Sequence, residues 1–162
     1  GGVKAARQIT LLYDSTDETA ARTAAAVQDA WKQKLGLIAI LRGATAQELA
    51  DALNQGEFMV ALTTVTADRG DASGLLSLWE SGNGYFYSTA YDMLLRAADA
   101  SGHVEVRDAY LEDAEAMLVE DSWVIPLYYV HRHSGLAQQL TAPLYDGTGV
   151  YRFSAVVRQT PQ

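Results

Sequence analysis

Asp68 stands at the mouth of a predicted strand, where a carboxylate could hold a charged group. It ends the stretch Glu57–Arg69, EFMVALTTVTADR, which starts as a strand and finishes as an acidic turn. Phe58, Met59, Val60, Ala61 and Leu62 form an unbroken apolar run, the pattern of a strand covered on both faces. Thr63, Thr64, Val65 and Thr66 keep strand propensity but present hydroxyls. The chain then turns through Ala67, Asp68, Arg69, Gly70 and Asp71. Open α/β sheets hold ligands at the carboxyl ends of their strands, so Leu62, Thr64, Val65, Thr66, Asp68 and the adjacent cation Arg69 are candidate ligand contacts. Taken alone, Asp68 reads more plainly as a turn or helix-capping carboxylate.

Other constellations carry less. His131 and His133 would share one face of a strand, but no third ligand lies near them in sequence, so surface residues are the better reading. Arg69-Gly70-Asp71 spells a short adhesion tripeptide that is common by chance. Tyr85, Tyr87, Tyr128 and Tyr129 can line a cleft, offering apolar contact and a hydroxyl, and Tyr87 is the one taken as a ligand contact. No Ser, His or Asp sits in a nucleophile-elbow context. The absence of Cys removes thiol, disulfide and zinc-thiolate chemistry. With 12 basic against 20 acidic residues and a net charge of -8, the surface is not one for nucleic acid. No cofactor is expected.

These residues need elements to position them. In 162 residues, 49% of them hydrophobic, one domain with a sizeable core is expected over 1–162. No run approaches the roughly 18 apolar residues of a membrane span. Gln8–Tyr13 reads as a first strand, and Ser15 with Glu18 has capping-box spacing. Ala20, Ala24, Val27 and Trp31 then mark a helix that Gly36 ends. Leu37–Leu41 is a second buried strand, and Thr45 with Glu48 repeats the capping box before a helix whose buried residues are Leu49 and Leu53. Gly56 ends that helix, so the first 66 residues read β-α-β-α-β with parallel strands.

From Ala72 the alternation lapses. Ser73–Glu80 reads as a short helix, Ser88 caps one to about Ala100, and another spans about His103 to Asp121 with Val106, Tyr110, Ala114 and Met117 on one face. Trp123–Val130, with Pro126, reads as a strand at an edge or bulge, and Leu144–Val157 as a Gly-bearing turn followed by one more strand. The fold class expected is α/β with a mixed sheet.

The ordered set of Leu11–Tyr13, the alanine-rich helix ending Trp31–Gly36, the strand and turn Val60–Asp68, and the block Glu112–Tyr129 closing in WVIPLYY resembles the C-terminal part of the oligopeptide- and dipeptide-binding proteins of bacterial ABC importers, the family 5 solute-binding proteins. No single piece is specific, but the order is. The resemblance implies a type II periplasmic-binding-protein lobe, part of a two-lobed protein about three times this long, whose N-terminal lobe would be missing here. It implies a peptide or peptide-like ligand paired along Leu62–Thr66, with Asp68 receiving its α-ammonium. It also implies an ABC permease as partner, a periplasmic or extracellular location with a lipoprotein anchor on the parent, and no enzymatic activity. Where family members place Arg, Lys or His for the far carboxylate, this chain offers Leu53, Asn54 and Leu62, which favours a longer, modified or non-peptide ligand. Two rivals stand beside this reading. A small α/β hydrolase or transferase would need a nucleophile or phosphate loop after its first strand, where Tyr13-Asp14-Ser15-Thr16 has no glycine. A free-standing interaction domain would keep the lobe's fold without its role.

Overall fold

The computed structural model describes residues 8–67, 71–83, 86–130, 144–145 and 151–152. The chain forms two compact units, Gly1–Val65 with Ser81–Tyr87, and Thr66–Glu80 with Ser88–Gln162.

The first unit is the expected β-α-β-α-β succession. It runs β1 (Gln8–Asp14), α1 (Glu18–Leu35), β2 (Ile38–Ala44), α2 (Ala46–Gln55) and β3 (Val60–Leu62). The strands are parallel in the order β2-β1-β3, with Leu12 opposite Arg42 on one side and Ala61 on the other. Successive strand residues face opposite sides. Leu11 and Leu12 are both buried, so β1 is the strand covered on both faces. Leu12 packs with Ala44 and Leu49, joined by Ala52, Leu53, Phe58 and Ala61, which places α2 over its face. Helix α1 packs on β1 and β2, burying Ala24, and Gln28 Nε2 donates to the Ala39 carbonyl at 2.6 Å.

Two expectations of full burial change here. In β2 only Ala39 and Ala44 are buried, one on each face of the strand, while Ile38 and Ile40 are 49% and 44% exposed. In the opening stretch the ladder covers only Val60–Leu62, all half-buried, and Met59 is 64% exposed. Both strands flank β1, and α2 spans only ten residues, about 15 Å of axis, so it cannot cover the whole face.

The cap of α1 also differs. Asp17, not Ser15, is the N-cap, accepting from the Thr19 amide at 2.7 Å. Ser15 instead donates its hydroxyl to the Ala44 carbonyl. The box of Thr45 and Glu48 on α2 is as expected, and Gly36 and Gly56 end their helices at positive φ of 64° and 69°.

The second unit holds a short helix α3 (Ala72–Leu76) running into a 3-10 turn (Ser77–Trp79), then α4 (Thr89–Ala100) and α5 (Val104–Glu120). Ser88 caps α4, as read from the sequence. Helices α4 and α5, joined by three residues, pack along each other and bury Tyr91, Leu95 and Ala98 against the stripe Leu111, Ala114 and Leu118. The expected stripe shared only Ala114 with this one. Val106 is exposed and Tyr110 and Met117 are half-buried, because α5 is apolar around much of its circumference and the contact with α4 selects the face.

Trp123–Val130, expected as a strand, has no regular structure and joins no ladder among the described residues. Pro126 has no N–H to give, and Trp123, Ile125 and Leu127 through Val130 are exposed. Further on, β4 (Leu144–Tyr145) and β5 (Tyr151–Arg152) pair antiparallel in a separate two-stranded sheet.

Candidate functional site

Because β1, β2 and β3 are parallel, their carboxyl ends share one edge of the first unit, made by Asp14, Ala44 and the chain leaving Leu62. This edge is polar for local reasons. Asp14 folds back to accept from the Thr16 amide at 2.8 Å and its hydroxyl at 2.6 Å, and the hydroxyl chiefly holds its carboxyl below the ordinary range. Glu48 accepts from the Thr45 amide and hydroxyl, the amide being the main cause of its lowered pKa. Ser15 closes the crevice between β1 and β2 through its amide and hydroxyl, both given to the Ala44 carbonyl.

Beyond Leu62, itself half-buried and paired with Tyr13, residues Thr63, Thr64, Val65 and Thr66 carry no regular structure and are exposed. Chain of this kind at an edge strand can accept another extended backbone. Tyr87 is 78% exposed and belongs to the same compact unit as β3, while Phe86 beside it is buried. Of the sequence candidates, Asp68 and Arg69 lie outside the described residues, as do His131, His133 and Tyr85. Tyr128 and Tyr129 are exposed.

Asp71, at the start of α3, is held from two sides. Its carboxylate accepts from Ser73 Oγ at 2.6 Å and from Arg107 Nη2 at 2.7 Å. The Ser73 hydroxyl, and after it the Arg107 guanidinium, keep its carboxyl below the usual range. Sequence reasoning missed this pair, since its members lie 36 residues apart and only the packing of α5 brings them together.

A hollow of about 280 Å³ on the α2 side is lined by Thr10, Leu12, Arg42, Glu57, Phe58 and Met59, toward the start of β3 and away from the polar edge. Among the described residues no group of three or more His, Asp or Glu could hold a metal ion, and no helix is long and apolar enough to cross a membrane.

No protein-family model matches the sequence. Individual proteins do. The chain is 33% identical over 125 residues to the periplasmic murein peptide-binding protein MppA of Escherichia coli, covering 75% of this chain and 23% of that protein. It is 30% identical over 112 residues to the probable deoxycholate-binding periplasmic protein YgiS of the same organism, covering 67% and 21%. It is 30% identical over 123 residues to the periplasmic oligopeptide-binding protein OppA of Salmonella typhimurium, covering 74% and 22%. The unliganded open form of MppA superposes with a TM-score of 0.68 over 75% of this chain and 24% of that one. The chain therefore spans about a quarter of the length of the curated relatives it matches. Matched in sequence and in the arrangement of its strands and helices to periplasmic peptide-binding proteins, the chain belongs to the family 5 solute-binding proteins, with the fold of a type II periplasmic-binding-protein lobe.

Proposed function

We propose that residues 1–162 are a single piece of the C-terminal ligand-binding lobe of a two-lobed solute-binding protein, which binds a peptide or peptide-like solute between its lobes and delivers it to an ABC permease. The observation that carries this reading is the exposed run Thr63–Thr66 continuing from β3, in a chain homologous to peptide-binding proteins. A peptide laid along it gains main-chain hydrogen bonds whatever its side chains, so the site reads a backbone rather than a sequence. Leu62, Thr64, Val65 and Thr66 provide the backbone that pairs with the peptide, Asp68 receives the α-ammonium, and Arg69 and Tyr87 complete the contacts. The protein does no chemistry on its ligand. It works outside the cytoplasm, held to the membrane by a lipid anchor on the parent chain.

Leu53, Asn54 and Leu62 stand where cations would hold a short peptide's carboxylate, so a long, modified or non-peptide solute is favoured. One relative carries deoxycholate in its name, consistent with a family site that accepts more than peptides. The exposed apolar residues of Trp123–Val130 form surface for the other lobe.

The test is made on the longer, two-lobed protein by calorimetry, comparing free and N-acetylated peptides. At pH 7 an α-amino group and an ordinary Asp are mostly charged, and lobe closure moves them into a lower dielectric. Removing one partner of a buried pair costs about 3–5 kcal/mol, on the order of a hundred- to several-thousand-fold in affinity. Asp68→Ala and N-acetylation should each weaken binding by that order, and together by much less than the sum. Equal binding of both peptides by the unmutated protein would show that Asp68 serves a turn instead.

A further inference from the structure

Among the described residues, the sheet of the first unit ends on two open edges of unequal length. β3 has three residues, whereas β2 offers seven, Ile38–Ala44, all in register with β1. The N–H and C=O of one strand residue point to the same side, and those of the next residue to the other. The Ala44 carbonyl takes the Ser15 amide at 2.8 Å on the β1 side, so Ile38, Ile40, Arg42 and Ala44 serve the ladder, while Ala39, Leu41 and Gly43 turn outward. Gln28 Nε2 reaches the Ala39 carbonyl at 2.6 Å, in agreement with that alternation. An open edge invites another strand unless lysine, proline, a bulge or a covering element protects it. The stretch IAILRGA has no Lys, Pro or bulge, and Gln28 blocks only one of its outward carbonyls.

The side chains decide which strand fits. Ile38, Ile40 and Arg42 share one face of β2, and all three are exposed. If a second β2 lies antiparallel about a two-fold axis at Leu41, each Leu41 gives its amide to the other's carbonyl, and Ala39 lies opposite Gly43 of the second copy. Ile40 then lies opposite Arg42 of the second copy, so the two guanidiniums stay apart and each aliphatic stem covers an isoleucine. The same patch serves both copies, as a two-fold contact requires. On the other face α1 flanks the edge, and the residues three and seven before Gln28 are Ala25 and Ala21, small enough for two such helices to lie side by side. We propose that β2 is an interaction edge for a second copy of this chain, the two β2 strands pairing antiparallel about Leu41 into one continuous sheet. One strand pair is far smaller than a standard interface, so the dimer is weak, with a dissociation constant of roughly 0.1–1 mM.

Amide exchange followed by NMR on the labelled chain, from roughly 20 µM to 2 mM, reads the edge directly. The amides of Ile40 and Arg42 are bonded to β1 and stay protected throughout. Those of Leu41 and Gly43 should gain about two- to sevenfold protection as concentration rises. Ile40→Lys sets a cation opposite Arg42 and should weaken dimerisation at least about tenfold, whereas Ile40→Glu forms cross-strand ion pairs and should stay within about threefold or bind tighter. Net charge alone demands the reverse order, because the lysine moves a chain of charge -8 toward neutrality and the glutamate moves it away. Adding Arg42→Glu to Ile40→Lys should restore dimerisation. Unchanged amide shifts of Leu12 and Leu49 at the lowest concentration verify the fold, and if Ile40→Lys does not fold, Ile40→Glu and the unmutated chain decide the matter. Leu41 and Gly43 amides that stay open at every concentration overturn the proposal. Association as strong in Ile40→Lys as in Ile40→Glu overturns it too, and moves the contact to another surface such as residues 123–130. Protection that follows added trialanine rather than the chain's own concentration would assign the edge to a peptide and overturn the second copy.

Discussion

Gly43 has no room for a side chain. A Cβ built there would lie 2.8 Å from Ser15 Cβ and 3.2 Å from its Oγ, at the point where Ser15 bridges from β1 to Ala44. Gly43→Ala should destabilise the chain by about 1–3 kcal/mol, read as a lower urea midpoint with unchanged slope. Tyr91 poses the opposite problem of a polar atom in the core. It is fully buried, and its hydroxyl donates to the Leu76 carbonyl at 2.7 Å. Burial, and then the charges of Asp92 and Glu80, push its ionisation up, so the phenol stays neutral and remains a donor. Tyr91→Phe should cost about 0.5–1.5 kcal/mol, the net worth of one hydrogen bond, with no change in the fold seen by circular dichroism. Asp71 supplies a pH dependence. Its folded pKa is depressed, so its contribution is present above the unfolded value, near 3.8, and is lost as pH falls through the folded one. Acid titration should therefore show the unmutated chain losing stability below about pH 4 more steeply than Asp71→Asn.

At the scale of elements, the helix ends are where sequence chemistry and structure meet most directly. Thr45 accepts from the Glu48 amide while the Glu48 carboxylate accepts from the Thr45 amide, so the first turn of α2 is closed from both directions. Thr45→Ala should cost about 1 kcal/mol. The C-terminus of α5 is less well matched. Ser122 takes a positive φ of 59° while the amides of Trp123 and Val124 reach back to the Leu118 carbonyl. The geometry is that of a left-handed helix stop, which favours glycine. Ser122→Gly should stabilise by about 0.5–1 kcal/mol, visible as a raised midpoint in thermal unfolding.

For the whole molecule, the proposed reading as one lobe of two decides what the chain should do by itself. Binding sites usually bury most of their ligand's surface, and half a cleft cannot exclude water from both sides. The isolated chain should bind unmodified peptides only in the millimolar range, and submicromolar affinity by calorimetry would contradict the reading of a single lobe. Its apolar residues between 123 and 130, with Tyr129 84% exposed, form surface of the kind that drives association. The net charge of -8 opposes that association and is screened beyond about 8 Å at physiological salt. Sedimentation should therefore show self-association that rises with both protein and salt concentration.

Local chemistry is what the sequence determined by itself. The capping box of Thr45 and Glu48, the glycine stops at 36 and 56, the cap at Ser88 and the order β-α-β-α-β all depend on residues within a few positions of one another, so they were legible without the fold. The ordered blocks also named the family, because order along the chain is a property of sequence. Burial is different, since it depends on what packs against an element from elsewhere. The run Phe58–Leu62 and the run Leu37–Leu41 look as apolar as β1, yet both strands flank it under a helix too short to cover them, and only the strand order decides that β1 is the buried one. The same reason moved the buried stripe of α5 to Leu111, Ala114 and Leu118, and left Trp123–Val130 exposed and without a ladder. At the site, the apolar pattern placed a strand up to Leu62 but also carried it on through Thr66, where the structure has none. The grip of Arg107 on Asp71 was not legible at all, because a contact across 36 residues exists only once α5 has packed.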